Sequence, residues 1–257
     1  MTAKKENPRK TEFPILFNTD MVRAITLGHK LQTRRIVNPR NLYLDGGKPP
    51  ILGESASVFW KKFDFDKAVV DPVPSPSGNH GPYLKVPNTF MDTRHRVYPK
   101  REVGDLLWVR ETFAEVDGVI IHKEDFGDSF TPEWEPSIFM PKDAARIWLQ
   151  INSIRVERLK DISDKDAIME GIDYEYSSER KDFPILYMDY IHGDYNLKKA
   201  KDSFLSLWES INGKESLEEN PWVWVYNFDV LSLWGKPKNW KGKQTRVDEE
   251  AEKTVEP

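Results

Sequence analysis

The chain contains no cysteine, which excludes a disulfide framework, a thiolate metal site and a thiol nucleophile. No run approaches the roughly 18 apolar residues that a membrane-spanning helix needs. No G-x-G-x-x-G, P-loop or G-x-S-x-G stretch occurs, so the common phosphate-cradling loops and the nucleophile elbow are missing. The five histidines, His29, His80, His95, His122 and His192, have no metal-ligand spacing. Neither a metal nor a nucleotide cofactor is therefore expected. Residues 1–8 carry positive charge with no apolar stretch behind it. They do not read as a signal peptide, and the cytoplasm is the expected compartment.

Aromatic mass is plentiful. Nine Trp, nine Tyr and thirteen Phe in 257 residues provide a sizeable core for one large domain or two small ones. The net charge of −4 conceals an imbalance along the sequence. Residues 1–101 hold 18 Lys+Arg and 9 Asp+Glu, whereas residues 102–257 hold 20 and 33. A basic half can meet phosphate while an acidic half maintains solubility. The imbalance loses that meaning if the halves interleave in the fold.

Residues 1–12 are polar and read as a loose arm. Phe13 to Phe17 reads as a strand. Asn18, Thr19 or Asp20 can cap a helix through about Leu27, which Gly28 stops. Lys30–Val37 follows as a strand. Residues 38–100 hold no sustained period and read as a long irregular insertion, part of it packed as a subdomain around Phe59, Trp60, Phe63 and Phe65. Leu106–Phe113 and Ala145–Val156 read as strands. Ser163 to Asp166 is a capping-box pattern opening a short helix, closed by Gly171. Leu197–Ile211 is an amphipathic helix with Ala200, Phe204, Leu207, Trp208 and Ile211 on one stripe. Pro221–Leu231 is apolar on both faces and should be a central strand. Residues 232–257 run from basic to acidic and read as a disordered tail. Helices come singly between strands, so the fold class expected is α+β, a small mixed barrel with a few flanking helices.

The segment Gly28-His29-Lys30-Leu31-Gln32-Thr33-Arg34-Arg35 stands out. If extended, it points Lys30, Gln32 and Arg34 one way and Leu31, Thr33 and Arg35 the other. So much positive charge buries poorly on either face, and something anionic or polar should meet it. A tuned lysine serves as base, nucleophile or electrostatic clamp, and a threonine hydroxyl as nucleophile. A solvated lysine and an ordinary strand threonine are the commoner outcome. Glu170 ends a short helix, where a carboxylate opposes the helix dipole at a cost on the order of 0.3–1 kcal/mol. It has another job, or it is simply screened by solvent. Arg110 and Glu111 interrupt an apolar strand, either as structural ion pairs or as the mouth of a pocket. Trp222, Trp224 and Tyr226 share a strand face, as core or as a platform for a base.

Three elements taken together resemble the ASCH domain family. They are Gly28-x-Lys30-x-x-Thr33-x-Arg35, Gly104-Asp105-x-Leu107-x-Val109, and Ala167-x-x-Glu170-Gly171 ahead of a helix containing Phe204 and Trp208. Further stretches, Thr33-Arg34-Arg35, Leu107–Glu111, Ile211–Gly213 and Asn220–Val225, are similar to the larger ASCH proteins carried by phages and prophages. The resemblance spans residues 13–231 as one domain, and residues 38–100 are an insertion absent from compact members. It implies a PUA-like mixed β-barrel. It also implies a partner that is RNA or a modified nucleoside, with no membrane and no metal. Small bacterial members are amidohydrolases of N4-acetylcytidine, and their catalytic lysine, threonine and glutamate match Lys30, Thr33 and Glu170. Arg34, Arg35, Arg110 and Glu111 are then expected to bind substrate. A non-catalytic RNA-binding module is the alternative, with Lys30, Arg34, Arg35, Arg40, Arg94, Arg96, Lys100 and Arg101 on phosphates.

Overall fold

Asn18 sets the first helix. Its Oδ1 accepts from the Met21 amide at 2.8 Å, capping α1 (Thr19–Thr26). Val22, Ala24 and Ile25 are the helix's buried side, and Gly28 at φ +75° ends it. The computed structural model describes residues 12–37, 42–43, 63–71, 82–89, 94–127, 130–176 and 184–238. Of the arm expected over 1–12, residues 1–11 lie outside them, as do most of the tail, Phe59 and Trp60, while Glu12 opens a strand rather than ending a loose arm. The chain divides into two compact units: residues 1–22, 104–152 and 229–257 form the first, and residues 23–103 and 153–228 the second. The span read as one domain, 13–231, therefore contributes to both.

In unit 1, β1 (Glu12–Leu16) runs parallel to β7 (Leu106–Arg110). The first part of β10 (Trp148–Arg158) pairs antiparallel on the other side of β7. Leu106, Trp108, Phe113, Met140, Ala145 and Trp148 form its core. Beyond Arg110 the expected strand breaks, and β8 (Phe113–Val116) and β9 (Val119–His122) form a hairpin. Its turn is Asp117-Gly118, both at positive φ, as a tight two-residue hairpin requires. A short helix, α2 (Lys123–Phe126), follows. The first residues past β14 (Trp222–Ser232) belong to this unit. The Gly235 amide donates to the Arg146 carbonyl, and Lys236 pairs with Glu12 at 2.8 Å.

In unit 2, the later part of β10 neighbours β14, and β14 neighbours β2 (Gln32–Ile36). Here β14 is central, as its two-sided apolar sequence predicts. Its register with β2 sets Val225 opposite Arg34 and Tyr226 opposite Thr33. Three helices, α3 (Asp164–Met169), α4 (Ala200–Asn212) and α5 (Lys214–Glu219), follow β10. Val223 and Val225 pack with Leu159, Ile162, Ala167, Phe204 and Trp208. Ile211, expected on the buried stripe of α4, is 53% exposed. The buried stripe instead includes Ser203, whose hydroxyl donates to the Met188 carbonyl at 2.6 Å.

The insertion is more regular than its sequence suggests. Strands β3 (Leu42–Tyr43), β4 (Val69–Asp71), β5 (Tyr83–Pro87) and β6 (Arg94–Val97) form an antiparallel sheet in the order β3-β6-β5-β4. The Phe65 carbonyl, just ahead of β4, accepts from Trp222 Nε1 at 2.8 Å and from Arg158. A small sheet of β11 (Tyr174–Glu175), β12 (Leu186–Asp189) and β13 (Asp194–Leu197) completes the unit.

The architecture is α+β with mostly strands. The barrel expected from the resemblance is not formed, because the described sheets are open.

Candidate active site

The site begins with how α1 hands the chain to β2. After Gly28, the amides of His29 and Lys30 both donate to the Ala24 carbonyl, at 2.8 and 2.9 Å. The Leu31 amide then donates to the Met169 carbonyl at 2.9 Å, which fixes Lys30 opposite Glu170. On the other side, Ser163 Oγ accepts the Asp166 amide at 3.1 Å, the N-cap that starts α3. Gly171 turns the chain at φ +81°. A Cβ there would stand 2.7 Å from Ala24 Cβ and 2.8 Å from Lys30 Cβ. Only glycine allows this approach.

Lys30 is 1% exposed and Glu170 5%. The ammonium donates to Glu170 Oε2 at 2.9 Å and to the Glu170 carbonyl at 2.7 Å. It therefore caps the C-terminal end of α3, and its charge answers both the dipole and the carboxylate that opposes it. Burial pushes the Lys30 pKa below that of an ordinary lysine, Glu170 pulls it back up, and Arg35 and Arg34 lower it further.

Arg34 holds the other oxygen. Its Nη1 donates to Glu170 Oε1 at 2.8 Å and to Gln32 Oε1 at 2.6 Å. Its Nε and Nη2 both reach Glu157 Oε1, at 3.1 and 2.6 Å. The guanidinium lies 5.4 Å from the Phe204 ring centroid. Arg155 adds bonds to Glu157 and Asp166, both at 3.0 Å. Three cations thus meet three carboxylates in one network, and no charge in it is buried without a counter-charge. Gln32 and Asn227 extend it by hydrogen bonding.

Thr33 and Arg35 emerge on the other face of β2, with Tyr226 and Trp224 opposite them. Arg35 Nη1 donates to Thr33 Oγ1 at 3.0 Å. Arg35 lies within electrostatic range of Glu170, Arg101 and Tyr226, and its own burial lowers its pKa. The strand expected over Lys30–Val37 covers Gln32–Ile36. Within it Gln32 and Arg34 share one side and Thr33 and Arg35 the other, Lys30 lies just ahead of it on its bridge to Glu170, and Lys30, Thr33 and Glu170 all belong to unit 2.

Arg110 and Glu111 belong to unit 1. The Arg110 guanidinium lies 4.8 Å from the Trp108 centroid and donates to the Ile138 carbonyl. Arg146 holds both oxygens of the buried Glu111, at 3.0 and 2.8 Å, and also pairs with Glu124 and Asp125. These carboxylates raise the Arg146 pKa.

Sequence reasoning did not pick out Glu157, Arg155, Asp166 or Gln32 as parts of the site. Arg155 and Glu157 are two apart on β10, the spacing of one strand face. Asp166 was visible only as half of a capping box. Among the described residues, no group of three or more His, Asp or Glu side chains is placed to hold a metal ion. No described helix is long and apolar enough to cross a membrane. No protein-family model, no curated protein and no solved structure matches the chain.

Proposed function

We propose that the chain is an amidohydrolase that removes an acyl group from the N4 amine of cytidine or a related modified nucleoside. Lys30, Thr33 and Glu170 are its reacting groups. One observation carries the reading: a fully buried lysine with a lowered pKa, held by a carboxylate, beside a strand face where an arginine donates to a threonine hydroxyl. Such a combination is expensive to bury and is typical of functional sites.

The proposed chemistry uses each group once. Neutral Lys30 takes a proton from a water, which attacks the acyl carbon. The carbonyl oxygen gains negative charge and is held by Thr33 and Arg35. Thr33 Oγ1 is the acceptor in its bond with Arg35, so its own proton is directed elsewhere and can be donated. Glu170 keeps the Lys30 ammonium in place. The C–N bond then breaks, Lys30 returns its proton to N4, and the free amine and a carboxylic acid leave. Thr33 attacks nothing in this scheme; Lys30 lies just ahead of β2, and Arg35, which donates to Thr33, is within electrostatic range of both Lys30 and Glu170.

The alternative, an RNA-binding module, draws on Lys30 and Arg34 for phosphate contacts. Both charges are buried against carboxylates instead, which favours the enzyme. Purified protein incubated with N4-acetylcytidine should lose the acetylcytosine absorbance. Thr33→Val, which keeps the shape of the side chain, should lower kcat by about 10²–10³, the usual loss of one oxyanion donor. Full activity in Thr33→Val removes Thr33 from the mechanism, and absence of turnover by the wild type refutes the reading.

A further inference from the structure

The indole N–H of Trp224 is buried and, among the described residues, meets no hydrogen-bond acceptor. The residue is 2% exposed, and Nε1 has no partner. Its neighbour on the same strand face, Trp222, instead donates its Nε1–H to the Phe65 carbonyl. Native folds rarely leave such a donor buried, because it forfeits its hydration without return.

Its position suggests what fills the gap. The register of β14 and β2 sets Trp224 directly opposite Arg35, and Tyr226 opposite Thr33. Directly opposed residues keep their Cβ atoms roughly 4.5–5.5 Å apart on one face of the sheet. Trp224 therefore shares a face with the Thr33 hydroxyl and the Arg35 guanidinium that donates to it. All three are donors, and donors on one face of a sheet suit a ligand with several carbonyl oxygens.

We infer that Trp224 Nε1–H is a substrate-binding donor that takes the ring carbonyl oxygen of a pyrimidine nucleoside, while the acyl oxygen lies at Thr33 and Arg35. This rests on the amidohydrolase reading above. The contact is made equally in ground and transition states, so it governs KM rather than kcat.

Two measurements on the full chain test it. With 15N-labelled tryptophan, the Trp224 indole resonance, assigned by its loss in Trp224→Phe, should move downfield on saturation with cytidine or N4-acetylcytidine. Replacing Trp224 by benzothienylalanine, which exchanges N–H for sulfur within the same ring shape, should raise KM about tenfold. It should change kcat less than twofold and leave Tm unlowered, since no internal bond is lost. Turnover with the Trp224 resonance unmoved, or with KM unchanged in the analogue, overturns this assignment and leaves the amidohydrolase reading intact. No turnover, with no indole resonance moved by either nucleoside, overturns both.

Discussion

Lys30 is a cation in a place that suits cations badly, and its titration is where that conflict can be measured. Burial lowers its pKa from 10.5, and Glu170 only partly opposes this. Between the lowered folded value and 10.5, the unfolded chain holds a proton that the folded chain has released. Stability from this group therefore rises with pH across that window and is at its lowest once both forms are protonated. Urea unfolding followed at several pH values should show a positive slope there, reduced in Lys30→Met. The same substitution leaves Glu170 with Arg34 as its remaining ion-pair partner. It should cost about 3–5 kcal/mol at neutral pH, as broken buried pairs do. If the pKa matters in catalysis as proposed, the rate should rise with pH with an apparent pKa below 10.5. A rate that falls as pH rises toward 10.5 would show that Lys30 must keep its proton and is not the base.

The elements that bring Lys30 to Glu170 are short, and glycine and capping residues decide them. Gly171→Ala should cost roughly 1–2 kcal/mol for the left-handed backbone alone. The clash with Ala24 and Lys30 adds to this, so urea unfolding should show a larger loss, with activity falling alongside. Ser163→Ala removes the cap of α3 and should cost about 1 kcal/mol. In the β11–β13 sheet, Tyr195 donates to Asp173 at 2.6 Å, and its pKa is pushed up to about 12, chiefly by that bond. Asp173→Asn should return it toward 10 in an ultraviolet titration. Much of this was legible beforehand. Asn18, Gly28, the Ser163–Asp166 box and the two-sided apolar run of β14 all act as their residue types dictate. The alternation of Gln32 and Arg34 against Thr33 and Arg35 was also readable from period two. What stayed hidden depends on long-range pairing. Glu111 bends out of the expected long strand because Arg146, 35 residues away, holds it. The insertion has no period because its strands are short and pair with each other. The Asp117-Gly118 hairpin had a plain local signature, obscured by the apolar run ahead of it.

Charge shows how little the order of residues reveals about their distribution in space. The sequence halves carry +9 and −13, but the two units do not. Unit 1 holds 14 Lys+Arg and 19 Asp+Glu, a balance of −5, and unit 2 holds 24 and 23, a balance of +1. The basic half is diluted because residues 153–228, with their acidic excess, fold into the same unit as 23–103. Of the cations once assigned to phosphates, Lys30 and Arg34 are neutralised by Glu170 and Glu157, and Arg35 is engaged with Thr33. Arg96 lies 5.1 Å from the Tyr83 ring centroid, and Arg40 lies outside the described residues. A protein that reads RNA through its backbone needs many exposed cations on one surface, and each phosphate neutralised contributes about −0.7 to the slope of log K against log salt for single strands. With Lys30, Arg34 and Arg35 so engaged, the slope for a labelled single-stranded RNA should be shallower than about −2, with affinity no tighter than the non-specific range of about 10⁻⁴–10⁻⁶ M at physiological salt. Fluorescence anisotropy from 50 to 200 mM salt measures both. A slope of −4 or steeper would require about six phosphate contacts and would turn the function toward RNA binding. A shallow slope alongside turnover of the free nucleoside would place recognition in the donor-rich face of β2 and β14 rather than in a field of surface charge.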